Sequence, residues 1–178
     1  IDDWSARVGG TWAFNDEVNM YVSASRSFVG LAFDVGRTAS AETAILEPTS
    51  SAAYEIGVKS KLFDDTMSFN ANIFVQNTKD LQLTATKPSS VDSIALNAGD
   101  IKARGLEMNI SWQATNNLRL DFAGNYIDSE FGNLINSCYF GQSAADGCNI
   151  DNDNNGTPES QNLKGASAIQ TPEISYSA

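Results

Sequence analysis

The chain has 178 residues, 42% of them hydrophobic, with 11 basic against 22 acidic side chains and no histidine. That length suits one ordinary domain, and the apolar content excludes wholesale disorder. A net charge of −11 argues against a nucleic-acid partner, and the missing histidines exclude His-based catalysis and His-ligated zinc or haem within these residues.

Helical periodicity is nearly absent, and alternation with a period of two dominates. From Trp4 to Phe14 the even positions read Trp, Ala, Val, Gly, Trp, Phe. A tight turn at Asn15-Asp16-Glu17 leads to a second alternating run, Val18 to Phe28, with Val18, Met20, Val22 and Ala24 on one side. After a long connection (roughly 29–51), Tyr54, Ile56, Val58 and Leu62 face one way and Glu55, Gly57, Lys59 and Lys61 the other. Asp64-Asp65 turns the chain into MSFNANIFVQNTKD, where Met67, Phe69, Ala71, Ile73 and Val75 oppose Ser68, Asn70, Asn72 and Gln76. A second long connection (about 79–100) precedes Leu106, Met108, Ile110 and Trp112. A short turn at 114–117 then gives Leu118, Leu120, Phe122, Gly124 and Tyr126. A third long connection, near 129–170, ends in PEISYSA, where another alternating segment begins.

The expected order is strand, short turn, strand, long loop, three times over. No apolar run approaches the ~18 residues of a spanning helix. The strands match the ~9–11 residues that cross a bilayer at a tilt. Short turns at one end and long loops at the other are the habit of outer-membrane barrels. The apolar sides carry aromatics at both ends: Trp12, Phe14, Phe69 and Trp112 by the short turns, Trp4, Phe28, Tyr54 and Tyr126 by the long loops. Two aromatic belts around an aliphatic band suit a membrane barrel, whereas a soluble sandwich would face the same apolar sides into a core. Arg26 falls on the apolar side by parity, so it must snorkel or sit beyond a bulge that shifts the alternation.

Several stretches resemble the barrel domain of TonB-dependent outer-membrane receptors. They are MYVSASRSFVG (20–30), LEPTSSAAYEIGVKSKLFDDTMSFNANIFVQNTKDLQL (46–83) and NAGDIKARGLEMNISWQATNNLRLDFAGNYIDSEF (97–131). CYFGQSAADGC (138–148), followed by QNLKG (161–165), is similar to a cysteine-bearing extracellular loop of some members. Leu46-Glu47-Pro48 departs from the family's Pro-Glu order. The resemblance implies an all-β, antiparallel transmembrane barrel segment, about seven strands of a 22-stranded barrel with a plugged lumen. Residues 1–178 would then be part of a β-barrel domain, with the plug and C-terminal strands lying elsewhere. The implied function is TonB-energised uptake of a scarce ligand (siderophore, vitamin or oligosaccharide) across the Gram-negative outer membrane. Outer-membrane lipid and the TonB complex are the implied partners, the latter through an N-terminal region outside these residues. No enzymatic activity and no catalytic residues are expected.

The remaining candidates are local. Cys138 and Cys148 share one Gly/Asn/Asp-rich segment, at a spacing that suits neither a zinc site nor a redox CxxC motif, and are expected to form a disulfide. DNDNNG (151–156) fits the first half of a calcium loop, with Asp151, Asp153, Asn155 and Glu159 as candidate Ca²⁺ ligands. The Glu expected at position twelve is Asn162, and Asn/Asp/Gly runs are also plain turn chemistry. No other cofactor is expected. The competing functional reading is a soluble all-β binding or adhesion module that uses this calcium. Lys59, Lys61, Arg104 and Glu107 are candidate lumenal charges, more simply explained as ion pairs.

Overall fold

The computed structural model describes residues 3–33, 45–86, 93–97, 99–151, 154–168 and 171–178. In chain order the strands are β1 (Ala6–Ala13), β2 (Val18–Val29), β3 (Ala32–Phe33), β4 (Ile45–Leu46), β5 (Thr49–Leu62), β6 (Met67–Lys79) and β7 (Gln82–Thr86). There follow β8 (Ser93–Asn97), β9 (Ile101–Thr115), β10 (Leu118–Phe131), β11 (Ile135–Ser137), β12 (Ser160–Asn162) and β13 (Ile174–Ser177). A single 3-10 turn spans Ala144–Asp146, and no α-helix occurs among the described residues.

Seven of these strands form one antiparallel meander in the order β1-β2-β5-β6-β9-β10-β13. The other six form three two-stranded hairpins, one in each long loop. Because antiparallel partners share a face, the register tests the alternation directly. One row runs Gly10, Val22, Ile56, Ile73, Leu106, Tyr126, Ile174, and the row two residues nearer the short turns runs Trp12, Met20, Val58, Ala71, Met108, Gly124, Tyr176. The apolar side is therefore one continuous surface across all seven strands. The opposite side carries the row Thr11, Tyr21, Gly57, Asn72, Glu107, Asn125, Ser175.

The short turns step along the sheet. The β1–β2 pairing ends at Ala13 and Asn19, and Asn19 lies opposite Lys59, three residues before the last β5 pair at Leu62. Met67 in turn lies opposite Trp112, three residues before the last β9 pair at Thr115. A constant stagger of this kind tilts the strands against the axis about which the sheet would close, as in a barrel.

Nothing among the described residues covers the apolar side. Ile73 is 57% exposed in mid-band, and Val8, Trp12, Val22, Leu120 and Tyr126 are exposed too. A sandwich would bury these side chains under a second sheet, so a soluble core is the wrong reading of this face. Among the described residues the buried hydrophobic cluster lies in the third long loop, where Phe131 and Leu134 are buried against Ile101, Leu163 and Ala168, while Leu46 is buried separately in β4.

The strands are longer than the alternation suggests. β5 begins at Thr49, β9 begins at Ile101 and β10 runs on to Phe131. A tilted crossing needs about 9–11 residues, so the long-loop ends of these strands project past the apolar band. There the hydrogen-bond ladder continues while the outward face turns polar at Lys102, Arg104, Asp128 and Glu130, and the other face mixes Ser129 with Ile101 and Phe131, so the alternation that marks a strand in sequence is lost.

Arg26 keeps its parity: it lies opposite Ala6 on one side and Ala52 on the other, with no bulge. Its guanidinium donates to the Asp3 carboxylate and the Trp4 carbonyl and stacks 4.6 Å over the Trp4 ring. Burial of its stem and pairing of its head at the edge of the apolar band resolve the conflict.

Candidate functional site

Two surfaces can meet a solute: the polar face of the sheet and the long loops at one end of it. On the polar face the side chains of β1, β2, β5, β6 and β9 converge on a shallow hollow of about 320 Å³ lined by Arg7, Glu55, Asn72, Phe74 and Glu107, among others. The Tyr21 hydroxyl donates to Glu55, Lys59 Nζ stands 5.2 Å from the Tyr21 ring centre, and Asn72 Nδ2 donates to Glu107 Oε2 at 3.2 Å. The Tyr21 and Phe74 rings lie flat across the glycines opposite them. A Cβ at Gly57 would stand 2.5 Å from Tyr21 Cε1, and one at Gly105 would stand 2.8 Å from Phe74 Cε1 and 2.4 Å from the Tyr126 carbonyl oxygen. These glycines are there for close approach, with the aromatic ring supplying the contacts a side chain would otherwise make. The larger depression, about 600 Å³, lies mainly between Val8, Val22, Tyr54 and Ile56 on the apolar side and suits lipid rather than a polar solute.

The candidate lumenal charges divide between the faces. Lys59, Lys61 and Glu107 lie on the polar side, with Lys61 near Asp65 at 3.5 Å. Arg104 does not join them. It lies opposite Val75, on the apolar side's parity but beyond the end of the band, and pairs with Asp128 at 2.7 Å. The physical reason is the strict period of two: Leu106 and Met108 face outward, so Arg104 does as well.

The bases of the long loops are stitched together by a polar clasp that the sequence does not announce. Asn97 accepts from the Glu47 amide and donates to the Glu47 and Asp80 carbonyls, each at 2.9 Å. Gln82 donates to the Gly30 and Glu47 carbonyls, while the buried Thr49 hydroxyl donates to the Asp80 carbonyl at 2.8 Å and accepts from the Gln82 amide. Gly99, at φ +92, brings its backbone so close to the third loop that a Cβ would stand 2.1 Å from the Asn133 carbonyl oxygen. The side-chain work of Asn97 had no periodic signature by which it could be read.

Cys138 and Cys148 are joined by a disulfide in the third loop, with Cα atoms 5.6 Å apart. Of the candidate calcium ligands, Asp153 lies outside the described residues. The Asp151 carboxylate accepts from the Asn155 and Gly156 amides and so closes its own turn. Glu159 sits on the far strand of the local pairing, its carbonyl accepting from the Cys138 amide and its own amide donating to Ile150. Among the described residues no group of three acidic, His or Cys side chains is placed to hold a metal ion. Asp146 caps the 3-10 turn: its carboxylate accepts from the Ser143 hydroxyl at 2.6 Å and the Ser143 amide at 3.2 Å. Those two hydrogen bonds hold its carboxyl below the ordinary carboxylate range, the hydroxyl contributing most.

A staggered antiparallel sheet with one open apolar face, a polar opposite face, short turns at one end and elaborated loops at the other is the wall of an outer-membrane β-barrel. The chain belongs to the TonB dependent receptor-like, beta-barrel family, whose model matches residues 1–177. It is similar to the metal-pseudopaline receptor CntO of Pseudomonas aeruginosa, 33% identical over 132 residues that cover 70% of this chain and 16% of the receptor. It is similar also to the pesticin receptor of Yersinia pestis, 26% identical over 74% of this chain and 19% of that protein. Among solved structures, the ferric yersiniabactin uptake receptor FyuA from Yersinia pestis superposes with a TM-score of 0.58 at 24% identity, covering 70% of this chain and 18% of that one. The RagAB peptide transporter shares the fold with a TM-score of 0.58 at 17% identity, covering 79% of this chain and 19% of the other. The chain thus spans less than a fifth of the length of these curated relatives. Its family places it in the outer membrane of Gram-negative bacteria.

Proposed function

We propose that these residues form part of the barrel wall and outer loops of a TonB-energised importer, and that the cargo is a small metal chelate. The observation that carries the reading is the family match over residues 1–177. The curated relative named as a metal-pseudopaline receptor favours a metal chelate over a vitamin or an oligosaccharide. In this reading the apolar face contacts lipid, the polar face with Arg7, Glu55 and Glu107 lines the lumen, and the looped end faces outward because short turns are periplasmic in such barrels. The plug and the strands that close the barrel lie outside these 178 residues. The relatives are named as receptors, and the protein is read as a transporter.

The test is uptake by whole cells. Deleting the gene should abolish accumulation of a radiolabelled metal chelate under metal restriction, and removing TonB from the undeleted strain should do the same. Uptake of every metal chelate tried that is unchanged by the deletion would exclude this cargo. Uptake lost on deletion but retained without TonB would exclude the energy source.

A further inference from the structure

The Asp/Asn turn of the third loop gathers no metal ligands among the described residues, yet its hydrogen bonds suit a different reaction. Its tip carries Asn155-Gly156, the only Asn-Gly pair in the sequence, and both residues are exposed. In such a pair the glycine amide nitrogen can attack the preceding side-chain amide carbon, because glycine puts no Cβ in the way. The base of the turn is pinned: the Ile150 amide donates to the Ser160 carbonyl at 3.0 Å, and the Ser160 amide to the Ile150 carbonyl at 3.1 Å. The Cys138–Cys148 disulfide closes the segment beside it.

Two groups then meet the reacting atoms. The Gly156 amide, the nucleophile, donates to Asp151 Oδ2 at 2.7 Å, which is hydrogen-bond reach for a general base. The second carboxylate oxygen, Oδ1, accepts from the Asn155 amide at 3.2 Å and so keeps Asp151 on the turn. Asn155 Oδ1, where negative charge develops during the attack, accepts from the Thr157 amide at 2.8 Å. That amide stands where an oxyanion donor must. Gly156 has φ +84, and a Cβ there would meet nothing within 4 Å, so water reaches the reacting bond.

We propose that Asn155 is a self-catalysed deamidation site, with Asp151 as the base and the Thr157 amide as the oxyanion donor. Gly156 N forms a bond to Asn155 Cγ while its proton passes to Asp151. The tetrahedral carbon then expels Nδ2, which takes that proton back from Asp151 and leaves as ammonia. A five-membered imide remains. Water opens it at one carbonyl or the other, giving aspartate or isoaspartate, so the net change is ammonia exchanged for water. The pinned turn holds nucleophile, base and oxyanion donor together before reaction, which lowers the ordering cost of the attack. Either product sets a second carboxylate near Asp151, and isoaspartate also lengthens the backbone by one carbon. The third loop is thereby altered in one direction only, whatever cargo the receptor carries.

The test incubates the full-length receptor at neutral pH, digests samples under acid and follows Asn155 by mass spectrometry, with fragmentation to separate aspartate from isoaspartate. A free peptide of residues 149–162 has the same Asn-Gly pair without the pinned turn. The folded loop should deamidate at least about threefold faster than this peptide. Asp151→Asn keeps an acceptor for the Gly156 amide but removes the base, and should slow the folded receptor by about threefold or more. The same change in the peptide should leave its rate alone, which separates catalysis from an effect of sequence. Hydrogen exchange at Gly156 checks that the variant turn stays closed; if it opens, Asp151→Glu, which keeps the base, should restore the rate. The proposal is overturned by a wild-type rate that falls short of this margin over the peptide. It is overturned equally by an Asp151→Asn rate that stays within about threefold of wild type.

Discussion

The seven-stranded sheet and the third long loop solve opposite problems. The sheet leaves its apolar face open and satisfies its backbone through a long ladder of strand pairing, shifted in register at Leu118 and Arg119. The loop, with few strand residues, buries Phe131 and Leu134 and adds a disulfide and a set of side-chain hydrogen bonds. In the sheet the stabilising environment is lipid, so apolar residues point away from the protein. In the loop the environment is water, and Phe131 and Leu134 turn inward while Ile135, Tyr139 and Phe140 remain exposed. One chain thus uses the hydrophobic effect in both directions, and the change occurs where Arg104 and Asp128 succeed Leu106 and Tyr126 on the outward face.

That contrast can be broken most severely in the sheet. Ile73→Arg places a charge in mid-band on the lipid side and should cost about 2–4 kcal/mol, read from denaturant unfolding of the full receptor in lipid or detergent. Asn72→Arg, one residue away on the hydrated face beside Glu107, should be far milder; equal effects would mean that the two faces are not different solvents. Next comes the loop core. Leu134, 6% exposed, should lose about 2–3 kcal/mol on replacement by Ala, seen as faster proteolysis within residues 132–168 while the barrel's own unfolding stays unchanged. A matching shift in barrel unfolding would show the two regions to be one cooperative unit.

The clasp sharpens the comparison at the boundary. Asn97→Ala removes three hydrogen bonds from the base of the first two loops, and should cost about 1–2 kcal/mol locally. Spin labels at Phe33 and Leu83 should report a broadened distance distribution, and an unchanged distribution would remove Asn97 from this role. The smallest effect concerns Asp146. Because its folded-state value is depressed, its contribution is present above the ordinary carboxylate range and is lost as pH falls through that lowered value. Hydrogen-exchange protection at residues 143–148, taken relative to the intrinsic rate at each pH, should fall below about pH 4 in wild type. Asp146→Asn should already show the lowered protection at neutral pH.

Particular residues show how much could be read in advance. The outward set Met67, Phe69, Ala71, Ile73 and Val75 is determined by alternation alone, because a strand has only two faces and a bilayer demands that one be apolar throughout. The aromatic ends and the short turns follow from the same demand. Arg104 was legible by parity too, once Leu106 and Met108 had been assigned outward. The far ends of β5, β9 and β10 were not legible, since beyond the bilayer neither face is under that constraint.

What the sequence determined by itself was the two-faced sheet, its strand-turn-loop order and its family, because period-two patterning is local and repeats in every strand. The tertiary structure alone decided the stagger of the hairpins, the Asn97 and Gln82 clasp between loops distant in sequence, and the small core around Phe131. Each of these depends on which backbone carbonyl or side chain arrives from another part of the chain, and such meetings leave no period in the sequence.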